Sequence, residues 1–291
     1  MIAEAAAERF GTSILSVDSM QVFRGMDIGT AKPSKAVRAR VVHHMIDVAE
    51  PSDGFSVMEF QRQGRRALDD GQHTDARTII VGGSGLHFRS IVDPLTFAPT
   101  DAQIRIELEA MSLDELRETL LGIDSTAPEV LDMHNPRRVI RAIEVWRISG
   151  QTPSERAGSV ESEAVRAYRP LIEHVSFGFD PVDLSSERIE ERFRTMLEEG
   201  LLEEVEALAA VIGRTASQAV GYKELLRVVS GDKEIGAASA ETIRATRALV
   251  RRQRTFFRRD PRIEWIPWQD DEHARIESAV NHIGEVAGWT S

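Results

Sequence analysis

Short apolar runs alternate with amphipathic stretches along the first ninety residues. Residues 2–10 are rich in alanine and are followed by Gly11, which predicts a helix that ends at a glycine. Residues 13–17 are a short apolar run, and residues 77–81 are a second one of mostly β-branched side chains, typical of a buried parallel strand. Between these runs, Ser56 is followed three residues later by a glutamate, which favours a helix start. This order of elements predicts an α/β fold with a parallel sheet flanked by helices.

The pattern changes between residues 97 and 170, where helical periodicity continues without a run typical of a strand. Glycine, proline and serine in residues 150–162 predict a loop near the end of this stretch. The helices predicted before that loop cover residues 102–111, 113–121 and 137–149. We therefore expect a discontinuous α/β core, residues 1–96 and 171–291, with a helical insertion domain at residues 97–170.

Strand and helix patterns resume after the insertion. Residues 172–179 predict a strand, and residues 186–208 keep apolar side chains at helical spacing, which predicts one long amphipathic helix. Residues 240–258 predict a further helix. The chain then ends with a predicted strand at residues 263–266 and a closing helix at residues 273–287.

Composition narrows the class of protein. The chain has 291 residues, 42% hydrophobic and 29% charged, which is ordinary for a globular protein and excludes a disordered or fibrous one. It contains no cysteine, so disulfides, thiolate nucleophiles and cysteine-bound zinc are excluded, and we expect a cytoplasmic protein. No apolar run is long enough to cross a membrane, and the first residues lack the pattern of an export signal.

The net charge of −11 comes from 36 basic and 47 acidic side chains. This balance argues against indiscriminate coating of nucleic acid, but it leaves room for a local basic patch.

Candidate chemistry lies where the first two predicted strands end. Asp18 and Ser19 follow one strand, and Gly82, Gly83 and Ser84 follow the other. Ligands of open parallel sheets bind at the carboxyl ends of strands, and a glycine-rich turn there lets backbone N–H groups approach an anion. Two structural alternatives stay open: the glycines would only make a tight turn, and Asp18 would only cap a helix or an Asx turn.

Arginines are concentrated on one predicted helix near the C-terminus. Residues 244–262 contain eight arginines and one acid. Five of the arginines recur at spacings of three and four, namely Arg244, Arg247, Arg251, Arg254 and Arg258. Such a face repels itself unless an anion, or acids from elsewhere in the fold, neutralise it. Because the guanidinium fork suits phosphate, we favour a phosphate-rich ligand, with intramolecular ion pairs as the alternative.

A second basic cluster, residues 137–141, opens a predicted helix directly after Asn135 and Pro136, where the helix dipole also favours anions. A solvated amphipathic helix with its apolar side chains turned inward explains the same spacing. His43 and His44 have no third ligand at metal-site spacing, so we interpret them as a structural pair.

Six motifs of this chain together resemble those of the bacterial tRNA dimethylallyltransferase family, also called the tRNA isopentenyltransferase family. They are residues 18–33 (DSMQVFRGMDIGTAKP), 43–47 (HHMID), 81–88 (VGGSGLHF), 135–144 (NPRRVIRAIE), 218–224 (QAVGYKE) and 251–261 (RRQRTFFRRDP). They stand in the family's order, and the resemblance runs from the first residues to about residue 266. It implies a P-loop NTPase-like fold and transfer of a dimethylallyl group from dimethylallyl diphosphate to N6 of adenosine 37, beside the tRNA anticodon.

The resemblance also implies roles for single residues. Asp18 would take the proton from the adenine amine, and Ser84, which stands where the family usually has threonine, would hydrogen-bond the diphosphate. Arg188 or Arg192 would bind the diphosphate, and Mg²⁺ would stabilise the leaving group. Contacts with the tRNA anticodon stem-loop are expected from Asp18, Ser19, Met20, Gln21, Ser84, Arg105, Arg137, Arg138, Val139, Ile140, Arg141, Gln218, Gly221, Tyr222, Lys223, Arg251, Arg252, Gln253, Arg254, Phe257 and Arg258. We expect a monomer whose partners are tRNA and dimethylallyl diphosphate, with no membrane partner.

One motif of the family does not occur in this chain. The family carries a strand and a GxxxxGK[ST] phosphate loop before the Asp18 motif, whereas residues 1–4 match the helix expected after that loop. We therefore expect the chain to lack the first strand and the P-loop, which leaves backbone groups of the neighbouring strands unpaired. The sequence accordingly identifies no metal ligands. Two explanations stand: a start codon assigned too far downstream, which we favour, or a true fragment. We expect little or no prenyl transfer from residues 1–291 alone.

Two other functions stay open. One is a prenyltransferase or P-loop kinase acting on a small molecule such as AMP, which needs neither the arginine face nor the helical insertion. The other is a tRNA-binding protein without catalytic activity.

Overall fold

The computed structural model describes residues 1–72, 77–180 and 186–289, except for the side chains of residues 71, 72 and 186. The chain divides into two compact units. The first comprises Met1–Ile91 and His174–Ser291, and the second comprises Val92–Glu173. The domain limits predicted from the sequence, residues 97 and 170, lie a few residues inside the second unit.

Helices outnumber strands in the described part of the chain. Strands β1 to β5 are Ser13–Ser16, His43–His44, Thr78–Val81, Ser176–Phe179 and Ile263–Ile266. Helices α1 to α8 are Ile2–Phe10, Lys35–Arg40, Val57–Gln72, Gly85–Val92, Ala102–Glu109, Leu113–Ile123, Ala127–Val130 and Pro136–Ser149. Helices α9 to α15 are Pro153–Ala157, Val160–Arg166, Ser186–Glu198, Leu201–Leu208, Tyr222–Val229, Ile235–Phe257 and Glu272–Ala287. None of these helices is both long and apolar enough to cross a membrane.

The strands of the first unit form two parallel ladders. One has the order β2–β1–β3, with Ile14 of β1 opposite His43 on one side and Ile79 on the other. The second ladder pairs β4 with β5. The predicted α/β fold with parallel strands is therefore confirmed. Among the described residues, β3 has a neighbouring strand on one side only, and Val81 at its end is 40% exposed. The prediction that this strand is buried is wrong, because its residues are partly or largely exposed and one of its edges has no neighbouring strand among the described residues.

Local signals set the elements around β1. Gly11 has φ 59 and ends α1, so the predicted helix with a C-terminal glycine is confirmed. Ala7 of α1 packs on Ile14 of β1 in a buried cluster. The predicted helix start is also confirmed, since the Ser56 hydroxyl accepts the N–H of Glu59 at 3.2 Å.

The single long helix predicted for residues 186–208 is two helices. α11 ends at Glu198 and α12 begins at Leu201. Gly200 lies between them with φ 100, a conformation that favours glycine and breaks the helix. Apolar residues continue on both sides of the break, with Phe193 and Leu201 both buried. Hydrophobic periodicity alone therefore does not reveal it.

The second unit is helical, as predicted. Its core comprises Leu108, Leu116, Leu120, Ala127, Val139, Ala142 and Ile143. The loop predicted for residues 150–162 is wrong, because the segment contains α9 and the start of α10. Thr152 and Glu155 form a capping box that begins α9, and Ser159 caps α10. These polar side chains start helices here, although the same residue types also favour loops.

Candidate active site

Two strand ends meet at the carboxyl edge of the β2–β1–β3 ladder. The backbone N–H of Val17 donates to the carbonyl oxygen of Val81 at 2.8 Å, so the segments that follow both strands start side by side. A Cβ on Gly82 would lie 2.8 Å from the carbonyl carbon of Val17. Only glycine allows so close an approach. The structure thus brings the segment of Asp18 beside that of Ser84.

Asp18 commits one carboxylate oxygen to local structure. Its Oδ1 accepts the backbone N–H of Met20 at 2.8 Å and that of Gln21 at 3.2 Å, which makes an Asx turn. The structural alternative for Asp18 is therefore correct for this oxygen. Oδ2 has no hydrogen-bond partner in the described part of the chain, and the side chain is partly exposed. The turn fixes the carboxylate and leaves one oxygen for a ligand.

Ser84 stands directly before α4. Its carbonyl oxygen accepts the N–H of Phe88 at 2.9 Å, and its hydroxyl lies 2.7 Å from Nδ1 of His87. The His87 ring meets the Phe60 ring edge-on, with centroids 4.6 Å apart. Burial lowers the pKa of His87, and the charge of Asp18 opposes this shift only in part. The imidazole is therefore predominantly neutral at pH 7. His87 is not among the residues predicted for the site; its place three residues after Ser84 is the signal for it.

Lys32 anchors the loop that follows Asp18. Its side chain is almost fully buried, and its ammonium donates to the carbonyl oxygen of Phe23 at 2.6 Å, to Asp27 at 2.8 Å and to Asp47 at 2.6 Å. Burial by itself would raise the pKa of Asp47, but hydrogen bonds from Lys32 and Arg38 hold that pKa below its ordinary value. The loop is therefore tied down by charge-assisted hydrogen bonds.

Gln21 links this loop back to β1. The Ser16 hydroxyl donates to Oε1 of Gln21 at 2.8 Å, and the Gln21 amide nitrogen donates to the carbonyl oxygen of Thr30 at 3.1 Å. Both ends of the side chain are thus used inside the protein. The Gln21 amide is therefore occupied and is not free for the predicted contact with tRNA. Ser19 and Met20, which are also predicted contacts, are partly exposed.

Glu204 of α12 holds the loop from the other side. Its carboxylate accepts the N–H groups of Asp27 and Ile28, both at 2.9 Å, that of Gly29 at 3.3 Å, and the hydroxyl of Tyr222. Burial and the Glu204 charge raise the pKa of Tyr222, which keeps its phenol protonated as a donor. Tyr222 is fully buried. The predicted contact of its side chain with tRNA is therefore wrong, because the ring supports the loop from within.

The rest of the QAVGYKE segment divides by exposure. Gly221 is buried with φ 93, and its N–H donates to the Glu224 carboxylate at 2.9 Å at the start of α13. Gln218 and Lys223 are exposed. Of the contacts predicted in this segment, these two present side chains to solvent.

The C-terminal part of α14 covers the glycine-rich turn after β3. A Cβ on Gly83 would overlap the side-chain amide of Gln253, and a Cβ on Gly85 would overlap the Phe256 ring. Phe257 packs on α4, its ring centroid 6.2 Å from that of Phe88. Gln253 and Phe257, both predicted as tRNA contacts, therefore form a wall of the site.

Acids of the same unit neutralise part of the arginine face of α14. Arg247 pairs with Glu190 at 2.7 Å. Arg254 and Arg258 both pair with Asp180, each at 2.6 Å. The alternative of intramolecular ion pairs is therefore correct for these three arginines.

Arg251 and Arg252 lie between the paired arginines in sequence. Both are exposed, and neither forms an ion pair within the described residues. These two guanidinium groups remain for an anionic partner.

The arginines predicted to bind diphosphate lie one turn apart on α11. Arg188 is 3.4 Å from Asp270, in an exposed pair. Arg192 lines a cavity of about 580 Å³, with Lys35 and Arg38 among the other lining residues. Asp18 and Ser84, which together we call the strand-end site, do not line this cavity. The cavity therefore does not connect Arg192 with the strand-end site.

In the second unit, two arginines share one buried carboxylate. Glu144 is fully buried and accepts hydrogen bonds from Arg105 at 2.8 Å, from Arg141 at 2.7 Å and from the N–H of Asp101 at 3.0 Å. Burial alone would raise the pKa of Glu144, but these hydrogen bonds hold it below its ordinary value. Arg105 and Arg141, both predicted as tRNA contacts, are thus partly neutralised by Glu144 within the unit, and both remain partly exposed.

The basic cluster at the start of α8 divides in the same way. Val139 is fully buried, so a tRNA contact through its side chain is wrong. Ile140 packs on the same core but is partly exposed, and its contact with tRNA stays a prediction. Arg137 and Arg138 are exposed in the first turn, where the Asn135 side chain accepts the N–H of Arg138. The alternative of an amphipathic helix is correct, with its basic residues on the outside.

Within the described residues, no group of three or more histidine, cysteine, aspartate or glutamate side chains is placed to hold a metal ion. His43 and His44 form β2, in agreement with their interpretation as a structural pair. These residues therefore do not fit a Mg²⁺ site caged by protein ligands.

Known proteins resemble this chain in sequence and in fold. The IPP transferase family model matches residues 21–260. The tRNA dimethylallyltransferase of Bifidobacterium longum is 39% identical over 267 residues, which cover 90% of this chain and 78% of that protein. A tRNA delta(2)-isopentenylpyrophosphate transferase structure from Staphylococcus epidermidis is 28% identical, with a TM-score of 0.68 over 99% of this chain and 94% of that one. A eukaryotic dimethylallyltransferase acting on tRNA is 19% identical and shares the fold, with a TM-score of 0.77 over 99% of this chain and 76% of that one.

Proposed function

The chain belongs to the IPP transferase family, and from this premise we propose that it transfers a dimethylallyl group from dimethylallyl diphosphate to N6 of adenosine 37 in tRNA. The observation that carries the proposal is the strand-end site, where the open oxygen of Asp18 and the hydroxyl of Ser84 share one edge of the sheet. A base and a hydrogen-bond donor side by side are what transfer from a diphosphate to an amine needs. A monomeric, cytoplasmic enzyme is part of the proposal.

Asp18 is the proposed base. As adenine N6 bonds to C1 of the dimethylallyl group, the bond from C1 to the diphosphate oxygen breaks, and the amine must lose a proton. Oδ2 of Asp18 takes that proton, while the hydrogen bonds of Met20 and Gln21 to Oδ1 keep the carboxylate in place. The adenine must leave its stack to reach this oxygen, as in other base-modifying enzymes.

Ser84 is the proposed donor to the diphosphate. It stands where the first backbone N–H groups of α4 lack helical partners, which favours an anion. Arg188 or Arg192 would supply further positive charge. Mg²⁺ enters the proposal as a counter-ion carried on the diphosphate oxygens and water, a mode of binding that needs few protein ligands. When bound there, it neutralises charge on the leaving group.

The tRNA is proposed to bind through the arginines and polar side chains that the fold leaves exposed. These are Arg137, Arg138, Gln218, Lys223, Arg251 and Arg252. A few arginines at chosen places, in a chain of net charge −11, favour one RNA shape over indiscriminate binding.

Prenyl incorporation into tRNA and into AMP tests the proposal. Two chains are compared: residues 1–291, and the same chain extended before Met1 by a strand and a GxxxxGK[ST] loop. We expect the extended chain to modify tRNA and not AMP, and its rate is compared with that of residues 1–291. In the extended chain, Asp18→Ala should lose about 100-fold or more in rate while keeping its tRNA affinity. Asp69→Ala, at an exposed position of α3, is the matched control.

Each other outcome points to a different function. A full rate in Asp18→Ala would remove Asp18 as the base. Transfer to AMP would favour a small-molecule prenyltransferase, and tRNA binding without transfer in the extended chain would favour a non-catalytic tRNA-binding protein.

A further inference from the structure

His87 is a partly buried imidazole beside the proposed diphosphate site, and the proposed chemistry does not use it. Its Nδ1 lies 2.7 Å from the Ser84 hydroxyl oxygen, a full hydrogen bond. At this distance the proton between the two atoms belongs either to Ser84 or to His87. The two cases differ in what Ser84 can offer a ligand.

A serine hydroxyl has a single proton to donate. When Ser84 donates this proton to Nδ1, its oxygen presents only lone pairs, which repel a diphosphate oxygen. When Nδ1 carries the proton instead, it donates to the serine oxygen, and the serine proton is free to point elsewhere. Only the second arrangement lets Ser84 donate to an anion.

We propose that His87 is a positioning residue for Ser84: its Nδ1–H donates to the serine oxygen and thereby turns the serine hydroxyl proton toward a diphosphate oxygen. This inference rests on the proposed role of Ser84 in binding the diphosphate. The Phe60 ring, which packs edge-on against the imidazole, keeps His87 in position for this hydrogen bond.

Two contacts hold the ring. Phe60 of α3 meets it edge-on with centroids 4.6 Å apart, and the Ser84 hydroxyl lies 2.7 Å from its Nδ1. Nε2 has no hydrogen-bond partner among the described residues and is not enclosed, so solvent can exchange its proton. The neutral ring can therefore change tautomer without moving.

The neutral form suits such a change. Burial lowers the pKa of His87, so the ring at pH 7 carries one proton that either nitrogen can hold. The negative charge of Asp18 acts in the opposite direction and favours extra protons on the ring. Without a ligand, Ser84 can donate to Nδ1; with an anion bound, the Nδ1–H tautomer is selected, because it alone satisfies all three groups.

Calorimetry of pyrophosphate binding tests the inference. The wild-type chain of residues 1–291 is compared with four variants of it. His87→Phe keeps a ring against Phe60 but has no nitrogen, and His87→Asn restores an amide donor near the place of Nδ1. Ser84→Ala and the double variant complete a cycle. We expect His87→Phe to raise the pyrophosphate Kd about three- to tenfold, and His87→Asn to stay within about twofold of wild type. His87→Phe should have no further effect in the Ser84→Ala background.

Nitrogen-15 NMR of labelled histidine gives an independent readout, whose main observation is made on the wild-type chain and whose control is Ser84→Ala. Adding pyrophosphate should convert Nδ1 of His87 from an acceptor to a protonated donor, and Ser84→Ala should abolish this change. An unprotonated Nδ1 in the pyrophosphate complex would overturn the inference. So would wild-type affinity in His87→Phe, or additive losses in the double variant.

Failure of the proposed function looks different. Wild-type affinity in Ser84→Ala, or no pyrophosphate binding by the wild-type chain, removes the diphosphate role of Ser84 and the inference with it. Weak binding in Ser84→Ala with wild-type binding in His87→Phe keeps the role of Ser84 and overturns the inference alone.

Discussion

At the scale of the residue, Glu204 is the side chain on which the loop after Asp18 most depends. One carboxylate accepts three consecutive backbone N–H groups and a buried phenol. Gly29 belongs to this arrangement, because a Cβ there would overlap the Tyr222 ring. The same loop ends at Lys32, whose ammonium is nearly enclosed, so charged side chains fix the second half of the loop.

Glu204→Gln should destabilise the protein and disturb the Asp18 loop. The amide has one acceptor oxygen where the carboxylate has two, so it turns an NH₂ group toward backbone donors. We expect a loss of about 1–3 kcal/mol in the free energy of unfolding, measured in urea. The tRNA-prenylation rate of the extended chain should fall as well.

Glu203→Gln is the matched control, since Glu203 is the neighbouring exposed acid of α12. Equal stability losses in the two variants would show that the four hydrogen bonds to Glu204 contribute no more than surface charge.

At the scale of the element, the break between α11 and α12 shows how one residue divides a continuous apolar pattern. Gly200 has φ 100, and a Cβ placed there would meet its nearest neighbour, a Glu203 oxygen, at 3.6 Å. Space is therefore available, and the requirement for glycine is purely conformational.

Gly200→Ala should destabilise the protein by about 1–2 kcal/mol, because an L side chain is strained at this backbone conformation. Gly122→Ala in α6 should have the opposite sign. That glycine is in helix α6 with no atom within 4 Å of the position that a Cβ would take, so alanine should stabilise by about 0.5–1 kcal/mol. Both changes are measured by thermal and urea unfolding, and a stabilising Gly200→Ala would contradict the conformational account.

At the scale of the whole molecule, the chain is acidic overall, yet several carboxylates are buried or paired. In the first unit, Asp47 forms ion pairs with Lys32 and Arg38. In the second unit, Glu144 forms ion pairs with Arg105 and Arg141. The pKa of each of these two carboxyls lies below its ordinary value. A carboxyl whose pKa is lower in the folded than in the unfolded state stabilises the fold above its unfolded value. That contribution is lost as the pH falls through the lowered value.

Glu144→Gln should therefore destabilise the second unit at pH 7 by about 1–3 kcal/mol, since Arg105 and Arg141 lose a shared anionic partner. The difference between wild type and variant should shrink as the pH falls below the ordinary glutamate pKa and through the lowered pKa of folded Glu144, where the wild-type carboxyl also becomes protonated. Urea unfolding at several pH values measures this. Glu118→Gln, at an exposed position of α6, should show no such pH dependence, and a constant difference for Glu144→Gln would contradict the assignment.

The sequence by itself determined the parallel α/β fold, the helical character of the second unit and the family. These rest on signals that are local in the chain: apolar runs, caps such as Ser56 with Glu59, and contiguous motifs such as residues 18–33. Local signals survive because backbone hydrogen bonding and capping depend on near neighbours. Two predictions from local signals were wrong. Gly200 divides the helix predicted for residues 186–208, and a polar capping box begins α9 inside the loop predicted for residues 150–162.

Only the tertiary structure decided which site residues are free. Tyr222 and Val139 stand in the motifs beside exposed residues, yet both are buried, since a one-residue step along a helix turns a side chain to another face. Partners far apart in sequence also decided the charges: Asp180 neutralises Arg254 and Arg258, and Glu204 reaches back to the loop after Asp18. Such pairing depends on which elements the fold packs together, and no local pattern in the chain records it.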